Sequence, residues 1–165
     1  MLYSMNSGAK FLFFCFVAVC AIGCKDEKPD PEKSNYIQAK INGALWSPSS
    51  VNCTLLIDTT NDFRIVDFSA SSSGKTITIE ARDNATGGSI NTGTRTYSAG
   101  SAYFGYNSSG TAYHTVTGSL NIESVEASSQ NVTGSFDFTV EDNAGNQVRI
   151  SDGRFVKVSY SLKTQ

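Results

Sequence analysis

Residues 131–141 read NVTGSFDFTVE, and residues 147–162 read QVRISDGRFVKVSYSL. In the first, Phe136, Phe138 and Val140 alternate with Asp137, Thr139 and Glu141. In the second, Val156, Val158, Tyr160 and Leu162 alternate with Lys157, Ser159 and Ser161. Successive side chains leave a β-strand on opposite faces, so a period of two means one buried face and one wet face. That pattern points to antiparallel sheets, because parallel sheets are covered on both sides and read as continuous apolar runs. Between the two stretches, Asn143-Ala144-Gly145-Asn146 has the residue types that close a turn.

Working outward, the same alternation recurs from Asn35 onward, and the i, i+3, i+4 recurrence of an amphipathic helix does not. Ile77 and Ile79, for example, alternate with Thr76, Thr78 and Glu80. Asn42-Gly43, Ser73-Gly74 and Ser109-Gly110 punctuate the runs; both central positions of a type I′ hairpin turn need positive φ, which favours such pairs. Strands are predicted over 36–41, 44–47, 51–58, 62–71, 75–82, 94–97, 101–106, 111–117, 119–125, 131–141 and 147–162, the last broken in two at Ser151-Asp152-Gly153. About ten short strands at this spacing predict an all-β fold, an antiparallel β-sandwich or barrel.

The amino terminus follows other rules. Residues 11–22 are apolar and run into Gly23-Cys24, after which the chain turns almost wholly charged. A membrane-spanning helix needs about 20 apolar residues, so this run reads as the core of a signal peptide. Ala21-Ile22-Gly23-Cys24 resembles a bacterial lipobox, in which Cys24 is acylated and residues 1–23 are removed; Cys15 and Cys20 follow bulky Phe14 and Val19 and fit that position poorly. Two or more acyl chains anchor stably where one binds marginally, so the membrane is an expected partner through the N-terminal lipid. Residues 24–34 hold the lipidated cysteine and a charged, proline-bearing tether unable to bury anything, and residues 35–165 form the β domain. Lys25-Asp26-Glu27 resembles the lysine-plus-acidic export signal of Bacteroidetes surface lipoproteins, which implies the outer membrane and a domain facing the exterior.

Composition narrows the partners. The formal net charge of the 165-residue chain is −2, with no basic stripe to displace counterions from phosphates, so nucleic acid is excluded as a partner. With Cys15 and Cys20 lost and Cys24 acylated, Cys53 has no disulfide partner, and it shares its alternation phase with Val51, Leu55 and Ile57, which places it in the core.

Two stretches resemble a known family. YIQAKINGALW at 36–46 is similar to the opening "Ala, x, apolar, Asn-Gly, x, x, Trp" hairpin of small Bacteroidetes lipoproteins in a domain-of-unknown-function family. Gly134-Ser135-Phe136-Asp137-Phe138, with Gly153-Arg154-Phe155, resembles that family's C-terminal hairpins. The resemblance implies a lipoprotein and carries over no functional residue.

Residues that could do chemistry are few. No Gly-x-Ser-x-Gly nucleophile elbow occurs, and the single histidine, His114, shares a face with Ala112 and Val116, which reads as a partly buried or edge position. One histidine and one free thiol cannot build a zinc site of the His/Cys type. The loops at 83–86 and 142–146 lack the spacing of a dedicated calcium loop, and Asp and Asn favour turns anyway. No catalytic residue, metal or cofactor is assigned. Tyr97, Tyr103, Tyr106 and Tyr113 are the candidate ligand-binding residues, since tyrosines among small polar residues can form a platform for a glycan or a surface protein; Tyr and Phe also simply favour strands. If Ala102, Phe104 and Tyr106 face the core, Tyr103 faces out, and a cross-strand pair of Tyr103 with Tyr113 is predicted. The expected function is a non-enzymatic binding or structural module; the rival is a small glycan hydrolase, or an accessory protein of glycan acquisition, with carboxylates gathered by folding.

Overall fold

The computed structural model describes residues 35–83 and 90–165. The signal segment, Cys24, Lys25, Asp26, Glu27 and the tether lie outside the described residues, as do Asn84, Ala85 and Thr86 of the first candidate calcium loop.

The described residues form strands and no helix. The strands are β1 (Tyr36–Ile41), β2 (Ala44–Trp46), β3 (Ser50–Asp58), β4 (Phe63–Ser72), β5 (Lys75–Asp83), β6 (Gly93–Thr96), β7 (Ala102–Ser108), β8 (Thr111–Glu126), β9 (Asn131–Glu141), β10 (Gln147–Ser159) and β11 (Ser161–Thr164). Their order across the sheet is β11-β3-β4-β5-β7-β8-β9-β10-β1-β2, with β6 added on β8. Three two-residue turns have the positive φ pair of type I′: Asn42-Gly43, Ser73-Gly74 and Ser109-Gly110. The first is tied to β10, because Asn42 donates its N–H to the Arg149 carbonyl at 2.8 Å and its Oδ1 accepts the Arg149 N–H at 2.9 Å.

The sheet curls so that its two halves face each other, as in a sandwich or an open barrel. β8 makes the corner: its start pairs with β7, and from His114 it pairs with β9. Register shifts between Thr115 and Thr117 and between Ile122 and Ser124 bend it, which is how bulges turn strands. The core lies between the halves. Phe68 of β4 meets Phe155 of β10 with ring centroids 4.6 Å apart, and Phe104 of β7 stacks on Phe138 of β9 at 4.8 Å. Cys53 is buried and free, and burial pushes its thiol up to about 12, with Asp67 adding a smaller push the same way.

The glycines of the C-terminal stretches have a packing role. Gly134 lies opposite Phe155 and Gly153 opposite Phe136, while on the other edge of β9 Gly118 lies opposite Phe138. A Cβ at Gly153 would stand 2.3 Å from the Phe136 ring, one at Gly134 2.5 Å from the Phe155 ring, and one at Gly118 2.6 Å from the Phe104 ring. Each ring therefore fills space that any larger residue would close. The Gly-x-Phe-x-Phe and Gly-x-Phe stretches are one interlock, with β9 and β10 each supplying a glycine to the other's phenylalanine.

Four expectations need correction. Residues 111–126 are one strand, since Gly118 is extended and continues the ladder. β10 runs through Ser151-Asp152-Gly153, where Asp152 takes φ of 52° as a bulge, and the break falls at buried Tyr160. A second bulge at Lys157, with φ of 49°, slips the phase so that Phe155 and Val158 face the core while Val156 is half-buried; Leu162 of β11 is exposed. Finally, β11 lies parallel to β3, so the sheet is mixed.

Candidate functional site

The strand phase decides which side chains reach solvent. On β7, Ala102, Phe104 and Tyr106 point to the core and Tyr103 is 38% exposed. Its row runs across three strands, for Asp67 of β4 lies opposite Glu80 of β5, and Glu80 lies opposite Tyr103 of β7. These three share the outer face of the half built from β3, β4, β5 and β7, the front half.

The row is held by further contacts. Arg82, one step along β5, donates to the Glu80 carboxylate and places its guanidinium 4.7 Å from the Tyr103 ring centroid. Tyr97 meets Tyr103 edge to face, with centroids 6.2 Å apart at 86°. A guanidinium over a tyrosine face is attracted by the ring quadrupole, so Arg82 links the charge of Glu80 to the orientation of Tyr103. The bond and charge of Glu80 raise the Arg82 guanidinium above its usual value. Asp67 is raised as well: partial desolvation is the main cause and the facing Glu80 carboxylate the second, while Lys163 opposes them.

Beside the row is a depression of about 180 Å³, bordered by Asp67, Glu80 and Tyr103 and floored by Thr78 and Gly105. Its floor is low at Gly105, directly opposite Thr78, where the Thr78 hydroxyl takes the place of a side chain; a Cβ there would stand 2.3 Å from Thr78 Oγ1.

The four tyrosines do not form one platform. Tyr97 and Tyr103 are exposed and paired, whereas Tyr106 is buried and lies opposite Tyr113, their rings 5.2 Å apart, with Tyr113 packed on the core. The predicted Tyr103–Tyr113 pair is therefore not formed, because residues directly opposite share a face and Tyr113 belongs with inward Tyr106. His114 is exposed rather than partly buried, on the outward face with Ala112 and Val116. The loop at 142–146 closes as an Asx turn: Asp142 Oδ1 accepts the N–H groups of Ala144 and Asn146, both at 2.9 Å, and Oδ2 accepts from the Asn146 side chain. These bonds hold the Asp142 carboxyl below its usual value. No cluster of metal-ligating side chains occurs among the described residues.

A second concavity, an open groove of about 540 Å³, crosses the outside of β8, β9 and β10. It is lined by Ser119, Asn121 and Ser135 with charged residues around them, and its carboxylates are matched: Asp137 with Arg149 at 3.2 Å, Glu123 with Arg154 at 3.7 Å and Asp152 with Lys40 at 3.2 Å. Exposed pairs of this kind contribute little and mark a solvated surface. Sequence reasoning missed Asp67, Glu80, Arg82 and Gly105, although the Ser73-Gly74 turn carries a signal. Counting outward from it places Asp67 opposite Glu80.

The molecule is thus an all-β, curled-sheet domain with a mixed aromatic and polar patch on one outer face. The chain belongs to the family of the domain of unknown function DUF6252, which it matches over residues 33–159. Neither a curated protein nor a solved structure matches it.

Proposed function

We propose that this protein is a lipid-anchored β domain of the bacterial outer membrane, facing the cell exterior, that works as a non-enzymatic binding module through the outer face of β4, β5 and β7. The lipobox-like Ala21-Ile22-Gly23-Cys24 and the charged stretch after it support the anchor and the address. The observation that carries the binding role is Tyr103: a large ring left 38% exposed on a rigid strand and held in place by Arg82 and Tyr97. Aromatic anchors held before the partner arrives lose little entropy on binding, which is why they dominate recognition surfaces. The test pairs two variants in cells. Cys24→Ala is expected to leave the membrane fraction, and Tyr103→Ala to stay membrane-bound while losing capture of surface glycans or proteins. Membrane retention of mature Cys24→Ala, or undiminished capture by Tyr103→Ala, would sink the corresponding half.

One observation favours the hydrolase reading, namely that Asp67 and Glu80 face each other directly and Asp67 is raised. Glycosidase carboxylates, however, flank the scissile bond. Here both rise from one open sheet face, and Glu80 is engaged by Arg82. Release of reducing ends by the wild type but not by Asp67→Asn would establish the hydrolase.

A further inference from the structure

We propose that the depression over Gly105 is a subsite for one pyranose ring of a neutral glycan, bordered by the Tyr103 ring and by the carboxylates of Asp67 and Glu80. The inference rests on the binding-module reading and adds the ligand's chemistry to it.

The argument begins with the floor. Gly105 has no left-handed φ that would demand glycine, and no core ring covers it as the phenylalanines cover Gly118, Gly134 and Gly153. Its missing side chain lets the Thr78 hydroxyl lie where a Cβ would stand, so the floor between Asp67, Glu80 and Tyr103 stays low. The groups around that space then specify a guest. Carboxylate oxygens are hydrogen-bond acceptors, so the guest brings its own donors. A tyrosine ring adds an amphipathic wall with an apolar face. A second cation on Tyr103 would compete with Arg82, which already lies over the ring and bonds to Glu80. An anionic guest would meet Asp67 and Glu80. A neutral molecule with several hydroxyl donors and an apolar C–H face remains, and that describes a pyranose. At about 180 Å³ the space suits a single ring rather than a chain of them.

The full chain, purified in detergent, is titrated with methyl glucoside, methyl galactoside and methyl mannoside, with saturation transfer to the sugar protons and calorimetry as readouts. At least one should bind with a dissociation constant on the order of millimolar, as a small ligand on an open site does. Gly105→Ala fills the floor, and a loss of roughly tenfold or more is expected. Asp67→Asn removes an acceptor without touching the floor, and keeps the proposal testable should Gly105→Ala fail to fold; it too should weaken binding at an unchanged melting temperature. Lysine methyl ester, a cation without the hydroxyls, should not compete. Binding unchanged in both variants, or equal binding of the lysine ester, would overturn the subsite. If no pyranoside binds while Tyr103→Ala still loses capture on cells, the subsite falls and the binding module stands. If Tyr103→Ala leaves capture intact as well, both fall.

Discussion

The hairpins β9–β10 and β7–β8 are built from similar residues and use them differently. In β9–β10, Phe136, Phe138 and Phe155 all turn inward and each lies opposite a glycine. In β7–β8 the rings divide: Phe104 and Tyr106 turn inward, while Tyr103 turns out beside Gly105, whose partner is the hydroxyl-bearing Thr78. A glycine opposite a core ring admits the ring and tightens packing; Gly105, opposite Thr78 on the wet face, admits a hydroxyl and keeps the floor of a shallow depression low. The C-terminal half of the resemblance, Gly134 to Phe138 with Gly153 to Phe155, lies wholly in the first class. It therefore records how these sheets close, and the proposed recognition surface lies outside it.

The largest effects should come from breaking the inward class. Phe155 is fully buried and touches Phe68 across the core, so Phe155→Ala is expected to cost about 3–5 kcal/mol, read as a lowered denaturation midpoint at constant slope. A smaller loss would mean that the two halves are less dependent on each other than the ring contacts imply. Next is Gly134→Ala, whose Cβ would stand 2.2 Å from the Asn121 carbonyl oxygen and 2.5 Å from the Phe155 ring. Neither neighbour is a free side-chain end, so overpacking of roughly 1–3 kcal/mol is expected. Gly105→Ala tests the other class and should cost less, because the Thr78 hydroxyl can rotate away. Equal costs at the two glycines would erase the distinction.

Cys53 extends the comparison to the front half, where it lies opposite Phe68 on the inner face. Its folded thiol is raised to about 12, above the unfolded value near 9. The folded state therefore keeps a proton that the unfolded state loses. The contribution is fully present below about pH 9 and declines by about 1.4 kcal/mol for each pH unit as pH rises towards 12. Cys53→Ala should lack that share of the alkaline slope. A wild-type slope no steeper than the variant's would mean that the thiol is not desolvated.

Strand positions were legible because alternation is local and the Gly-bearing turns are chemically distinctive. Register was only partly legible. The Ser109-Gly110 turn pairs Ser108 with Thr111 and so, by counting back, Tyr106 with Tyr113; using that count would have removed the Tyr103–Tyr113 pair. No such count reaches from Glu80 to Tyr103, since no two-residue turn joins β5 to β7 and β6 intervenes between them. The bulges at Asp152 and Lys157 were hidden for a different reason. Neither is glycine, and left-handed φ at a lysine has no local signature, so the slip that turns Phe155 and Val158 inward is imposed by pairing with β9. The parallel pairing of β11 with β3 is likewise a long-range outcome.

Tyr103→Ala should have the smallest effect on stability and the largest on recognition, and it separates the two classes most sharply. Its ring is exposed and lies on the outer face, in contact with Arg82 and Tyr97. Removing it leaves no cavity in the core and no unsatisfied buried group. Surface changes of this kind usually fall within about 0.5 kcal/mol. Arg82 keeps its bond to Glu80, so the charge balance of the row survives. Tyr106→Ala on the same strand removes a buried ring tilted against that of Tyr113, and should cost several-fold more in denaturant unfolding without specifically affecting capture. If Tyr103→Ala destabilises the domain as much as Tyr106→Ala, the outward ring is structural, and the division between the two hairpins no longer marks where binding occurs.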